Sequence, residues 1–226
     1  MTTTSTAPTA GVRVAFTLIG IGVLAMAAVE TLNPGYDTVG ETLSRYVHGT
    51  AGWLLPAALL AVGAASVVLA TRLGTGSRRA GRAGRAGRAA VTAWTVGILV
   101  AAVFPADPPG HRSRPSLSEL VHGNAAFLAF AALPTAAVLL RGTLAARRPG
   151  LRTALNALTA ASIVSTVALA VFLVDVMDGG PSLGLGGAPT LVGLVERIVL
   201  AADFGWVALA VSAVGARDER GRDRRA

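Results

Sequence analysis

The chain contains no cysteine, which excludes disulfides, thiolate metal sites and cysteine nucleophiles, and leaves the redox compartment unaddressed. Lysine is absent too. All 20 basic residues are arginine, and with abundant Ala, Gly and Val this is the stamp of a GC-rich coding sequence. Charged residues make up only 14% of the 226 positions against 53% apolar, and the mean hydropathy is +0.61. A soluble domain of this size does not carry such a balance, so lipid is the solvent for most of the chain. Familiar catalytic signatures are also missing. There is no phosphate-binding loop, dinucleotide fingerprint, zinc-protease motif or Gly-x-Ser-x-Gly elbow, and no standard enzyme class is indicated.

What is present is a series of apolar segments at 12–31, 52–71, 89–104, 121–140, 154–174 and 191–214, most of them near the ~20 residues that cross a ~30 Å hydrocarbon core. The third is short, and its Ala/Gly-rich approach from about Gly84 extends it. The expected fold is all-α, a polytopic membrane protein of six transmembrane helices. Residues 1-11 read as a disordered N-terminal tail, 12-215 as the six-helix membrane domain and 216-226 as an Arg-rich cytoplasmic tail. A rival reading makes the first segment a cleaved signal peptide ending near Ala25-Met26-Ala27. The run is long for a signal core and only Arg13 precedes it, which favours a membrane anchor.

A net charge of +8 would suggest nucleic acid in a soluble protein, but these arginines lie between apolar segments, so no nucleic-acid partner is expected. Arg13, six arginines in 72–88, four in 141–152 and five in 217–225 fall on one side of the span pattern, and nine of the twelve acids fall on the other. Short basic loops are retained in the cytoplasm, which puts both termini there and requires an even number of spans. The Gly-Arg-Ala triplets of 77–88 could hold anionic lipid headgroups at ~1 kcal/mol per arginine; the plainer reading is a solvated topology anchor.

The segment Leu43-Ser44-Arg45-Tyr46-Val47-His48-Gly49-Thr50-Ala51 recurs as Leu117-Ser118-Glu119-Leu120-Val121-His122-Gly123-Asn124-Ala125, six of nine positions being identical at an offset of 74. A second step of 74 reaches Leu191-Val192-Gly193-Leu194-Val195-Glu196, where the histidine position holds Glu196. Equal spacing of the helix pairs suggests three tandem two-helix repeats. These would set His48, His122 and Glu196 at one depth, at the outer ends of the second, fourth and sixth helices. Two His and a carboxylate form a recognised ligand set for a divalent metal, and Asp107 and His111 in the outer loop could join that level. Ser44 and Ser118 one turn before each His admit a hydrolytic Ser/His arrangement, while Thr38-x-x-Glu41 and Ser116-x-x-Glu119 fit plain capping boxes. Asp203 lies seven residues, ~10 Å, past Glu196 on nearly the same face; an ionisable group there is a functional-site candidate, with Arg197 among its expected partners. Asn124 and His111 complete the candidate binding residues. Asn156, Thr159, Ser162, Ser165 and Thr166 form a polar stripe of the kind that packs helices together. Pro56 and Pro134 suggest kinks, and Trp53 an interfacial anchor or a ligand contact.

Asn33-Pro34 with Ser44 after the first helix, Phe104-Pro105-Ala106-Asp107-Pro108-Pro109-Gly110 with His122 after the third, and Gly193-Leu194-Val195-Glu196-Arg197 opening the sixth resemble the bacterial membrane family catalogued as domain of unknown function 998. The resemblance covers nearly the whole chain and implies a six-helix protein of the bacterial cytoplasmic membrane, without an established reaction. The chain departs from the family's usual Thr at Ala106 and carries Glu196 where Gln also occurs. Three readings stay open: an outer polar pocket that binds a lipid headgroup or small solute, a membrane-embedded metal-dependent hydrolase using His48, His122, Glu196 and Asp107, and a structural accessory subunit.

Overall fold

The structure, a computed structural model, describes residues 10–74, 81–108, 114–178 and 180–223, with side chains as far as Gly215. Six helices carry the fold: α1 (Ala10–Thr31), α2 (Leu54–Gly74), α3 (Arg82–Val103), α4 (Leu117–Arg147), α5 (Arg152–Met177) and α6 (Val192–Asp223). Each is long and apolar enough to cross a membrane, and helices satisfy their own backbone groups where no water is available. The third helix begins at Arg82, so its arginine-bearing approach is helical. At the other end of the chain, helical backbone continues through Asp223, into the segment expected as a tail.

Consecutive helices pack side by side, and α6 returns to touch α1, α2, α4 and α5. It is the axis of the bundle: 67% of its span is buried, against 22% for α5. The sequence of α6 permits this, being apolar on nearly every side as a surrounded helix must be, but α5 is nearly as uniform, so packing rather than pattern decides which of the two is central. Val12 of α1 lies against Gly215 of α6, and Gly11 against Arg72 at the end of α2. The start of α1 and the Gly215 end of α6 therefore share the arginine-rich end of the bundle, and the acid-rich loops share the opposite end.

Small residues set the helix spacing, because without a hydrophobic drive between helices in lipid, close packing has to supply the attraction. A side chain at Gly97 of α3 would stand 2.6 Å from the Ala125 carbonyl oxygen and 3.0 Å from the Ala129 nitrogen of α4. The core aromatics are similarly specific. Trp94 of α3 meets Phe204 of α6 edge-on at 6.5 Å and donates its indole N–H to Ser66 Oγ of α2 at 3.0 Å. The two prolines differ in consequence. Pro56 sits in the first turn of α2, where its missing N–H removes no ladder bond. Pro134 lies inside α4, and the Phe130 carbonyl that it deprives of a donor accepts from Thr166 Oγ1 of α5 at 3.4 Å, as proline in a membrane helix requires.

The α1–α2 loop is long and folds over the acid-rich end. It contains a short 3-10 helix, Leu43–His48, that packs on α2 and α6. The two copies of the repeated segment thus adopt different structures, since the second opens α4 as an ordinary α-helix. Local capping accounts for the difference. Ser116 Oγ accepts from the Glu119 N–H at 3.1 Å and caps α4, whereas Thr42 makes no cap bond. Thr38-x-x-Glu41 opens no helix; Asp37 there accepts from the Val39 N–H in a turn. His48 consequently stands on the 3-10 helix, ahead of α2 rather than on it.

Candidate functional site

The acid-rich end is organised around one extended stretch, Phe104–Asp107, between α3 and α4. Proline at 105 keeps it out of helix, so its carbonyls have no intrahelical donors and must find partners elsewhere. Side chains supply all four. His122 Nδ1 donates to the Phe104 carbonyl at 2.8 Å and to Ala101 at 3.0 Å. Ser118 Oγ donates to Pro105 at 2.7 Å, His48 Nε2 to Ala106 at 2.6 Å, and an Arg45 N–H to Asp107. Carbonyl oxygens only accept, so these contacts place the proton of His48 on Nε2 and that of His122 on Nδ1.

Arg45 and Glu119 close the clamp from outside. Arg45 Nη2 lies 3.1 Å from Glu119 Oε1 and Nη1 lies 3.4 Å from Oε2, their side chains being 11% and 24% exposed. Glu119 Oε2 also accepts from the Asp107 N–H at 2.6 Å, and the Asp107 carboxylate accepts from the Ser116 N–H at 2.7 Å and hydroxyl at 2.6 Å. Position 119 is position 45 advanced by 74, so the ion pair joins repeat-equivalent positions of opposite charge. That mismatch between the copies was the legible signal for a contact that pattern matching treats as a simple difference.

A second knot ties the same loop to α6. Asn33 pairs with Thr50 through both its amide groups, donating to the carbonyl at 2.9 Å and accepting from the N–H at 2.6 Å. The Leu194 N–H donates to the Val39 carbonyl at 3.0 Å, and any side chain at Gly193 would strike the Glu41 backbone. Glu196 accepts from the Leu43 N–H. Arg197 is ion-paired with Glu30, donates to the carbonyls of Glu41 at 3.1 Å and Gly193 at 2.9 Å, and lies 5.4 Å over the buried ring of Tyr46, which stacks on Tyr36. Burial pushes the Tyr46 hydroxyl above its ordinary titration range, against the pull of the Arg197 guanidinium.

His48, His122 and Glu196 therefore each hold different backbone groups, and among the described residues no group of three His, Cys, Asp or Glu side chains is arranged to hold a metal. Asp107 acts on the start of α4. Asn124 is exposed and donates to its own helix at the Leu120 carbonyl, on an apolar groove between α3 and α4; His111 lies outside the described residues. Asp203 is not joined to Arg197. It is fully buried and accepts from Ser162 Oγ of α5 at 2.6 Å.

Beside the clamp is a pocket of about 240 Å³ between α2 and α3. It is lined by Val47, Leu55, Pro56, Leu59, Ala101, Ala102, Val103, Pro105 and Ala106, with Ser44 and His122 as its polar side chains. With Nδ1 committed to the clamp, His122 Nε2 has no hydrogen bond among the described residues. Neither Ser44 with His48 nor Ser118 with His122 defines this pocket; the serine and the histidine that line it come from different repeat copies. No curated protein and no solved structure matches the chain. A family model described as protein of unknown function, DUF998, matches residues 17–213, and this multi-pass membrane protein belongs to that family.

Proposed function

We propose that this is a protein of the bacterial cytoplasmic membrane, with both termini cytoplasmic, that binds the headgroup of a hydroxyl-bearing lipid in the pocket at its extracytoplasmic end. The observation that carries this reading is the mixed lining of the pocket: apolar side chains from α2 and α3 together with two polar ones, Ser44 and His122. A neutral imidazole nitrogen accepts a hydroxyl hydrogen, and the serine both donates and accepts. The volume is below the ~300–1,000 Å³ of drug-sized sites, which suits a glycerol-sized headgroup better than a whole metabolite. The arginine clusters at the opposite end add contacts to anionic headgroups of the inner leaflet. Binding fits better than passage, because toward the arginine-rich end the bundle centre is closed by buried Trp206, Val207, Val211, Leu69 and Leu140.

Native mass spectrometry of the purified protein released from micelles tests the reading. Phosphatidylglycerol is expected to be retained over phosphatidylcholine, and the preference to fall severalfold in Ala102→Phe, which fills the pocket, and to weaken in Ser44→Ala, the part set by the arginine clusters remaining in both. Equal retention of both lipids by the wild type, or an unchanged preference in Ala102→Phe, would refute it.

A further inference from the structure

Between the charged ends of the bundle the membrane-embedded sequence is almost free of ionisable groups. In α1 none lies between Arg13 and Glu30, in α2 none between His48 and Arg72, and in α3 none between Arg88 and Asp107. None lies between His122 and Arg141 in α4, or between Arg152 and Asp175 in α5. In α6 the interval from Arg197 to Arg217 contains Asp203 alone. Every element packed against α6 thus presents neutral side chains at that depth, and Asp203 has no cation to balance it. Its one hydroxyl partner is Ser162, which donates to Oδ1; the buried hydroxyls of Thr159 and Ser165 on the same helix are spent on the carbonyls of Leu155 and Ala161. The second oxygen, Oδ2, is buried and has no hydrogen-bond partner among the described residues.

We propose that Asp203 is a proton-binding site within the membrane and that loss of its proton loosens α5 from α6. An ionised carboxylate needs several donors or a cation when buried away from water. Here one hydroxyl is available. The arrangement fits a neutral acid: Oδ1 is the carbonyl oxygen accepting from Ser162, and Oδ2 carries the hydrogen. When that proton leaves to water, a full negative charge remains in the α5–α6 interface, and water must reach it. The helix best able to yield is α5, the least buried of the six, whose contact with α6 at this level is Leu158 against Gly205. The proposal is independent of the lipid pocket, which lies at the end of the bundle on other helices.

Two readouts test it in lipid vesicles. Infrared spectra across a pH series are expected to show a neutral carboxylic-acid carbonyl band that is absent in Asp203→Asn. In Ser162→Ala that band persists and moves to higher frequency, as a carbonyl losing its hydrogen bond does. Above the titration point the band should fall about tenfold per pH unit. The absence of cysteine makes the second readout clean. Leu158→Cys with Gly205→Cys puts two thiols in contact, the first substitution vacating the space the second fills. The yield of disulfide relative to the same pair in the Asp203→Asn background is expected to drop severalfold in alkaline buffer. A mildly acid sample with no band that depends on residue 203, or no shift in Ser162→Ala, would overturn the proton site. A cross-linking profile identical with Asp and Asn at 203 would overturn the joint.

Discussion

The clamp on Phe104–Asp107 makes a quantitative claim about Arg45 and Glu119. Replacing Glu119 by Ala removes two contacts to Arg45 and the bond from the Asp107 N–H, while replacing Arg45 by Ala removes the pair and the bond to the Asp107 carbonyl but leaves Glu119 one donor. Fully exposed pairs are worth ~0–1 kcal/mol, and breaking a fully buried one costs ~3–5 kcal/mol. Side-chain exposures of 11% and 24% put this pair between those limits. We expect losses of about 2–3 kcal/mol for Glu119→Ala and about 1.5–2 kcal/mol for Arg45→Ala, with a favourable coupling of about 1 kcal/mol in the double-mutant cycle. The exchange Arg45→Glu with Glu119→Arg separates the ion pair from the clamp. It restores opposite charges but turns a carboxylate toward the Asp107 carbonyl and a guanidinium toward its N–H, so rescue should be partial. Unfolding in mixed micelles titrated with an anionic detergent measures all four variants. Additive single effects within ~0.3–0.5 kcal/mol, or complete rescue by the exchange, would refute the view that both residues act through the Asp107 backbone.

Glycines separate packing from propensity. At Gly97 an added methyl meets backbone of α4 at 2.6 Å, so Gly97→Ala should destabilise by ~1–3 kcal/mol; at Gly123, where nothing lies within 4 Å, the same change should stabilise by ~0.5–1 kcal/mol. Reversal of that order in detergent unfolding would contradict the α3–α4 contact. For orientation, a cysteine replacing exposed Thr38 is expected to react with an impermeant maleimide in intact cells, and one replacing exposed Thr153 only after lysis; the opposite pattern would invert the assignment.

Composition and spacing were enough for the six spans, the grouping of the arginines against the acids, and the family motifs, because these depend on summed transfer free energies along the chain and need no partner to be known. The repeat drew attention to His48, His122 and Glu196 as one level, and in the structure the first two, with Ser118, serve the same backbone stretch while Glu196 serves the Leu43 N–H. Their task was not legible. A histidine at a helix end reads equally as a metal ligand or a hydrogen-bond donor, and only the path of Phe104–Asp107 shows four carbonyls in need of donors. Similarly, Asp203 was conspicuous in the sequence and Ser162 was one hydroxyl in a stripe; their contact depends on the rotation of α5 against α6. Single-chain periodicity leaves that angle undetermined, since the hydroxyl stripe of α5 does not say which neighbour it faces and the apolar faces are nearly uniform, and it was decided in the tertiary structure by small residues, one proline and the hydrogen bonds that cross between helices.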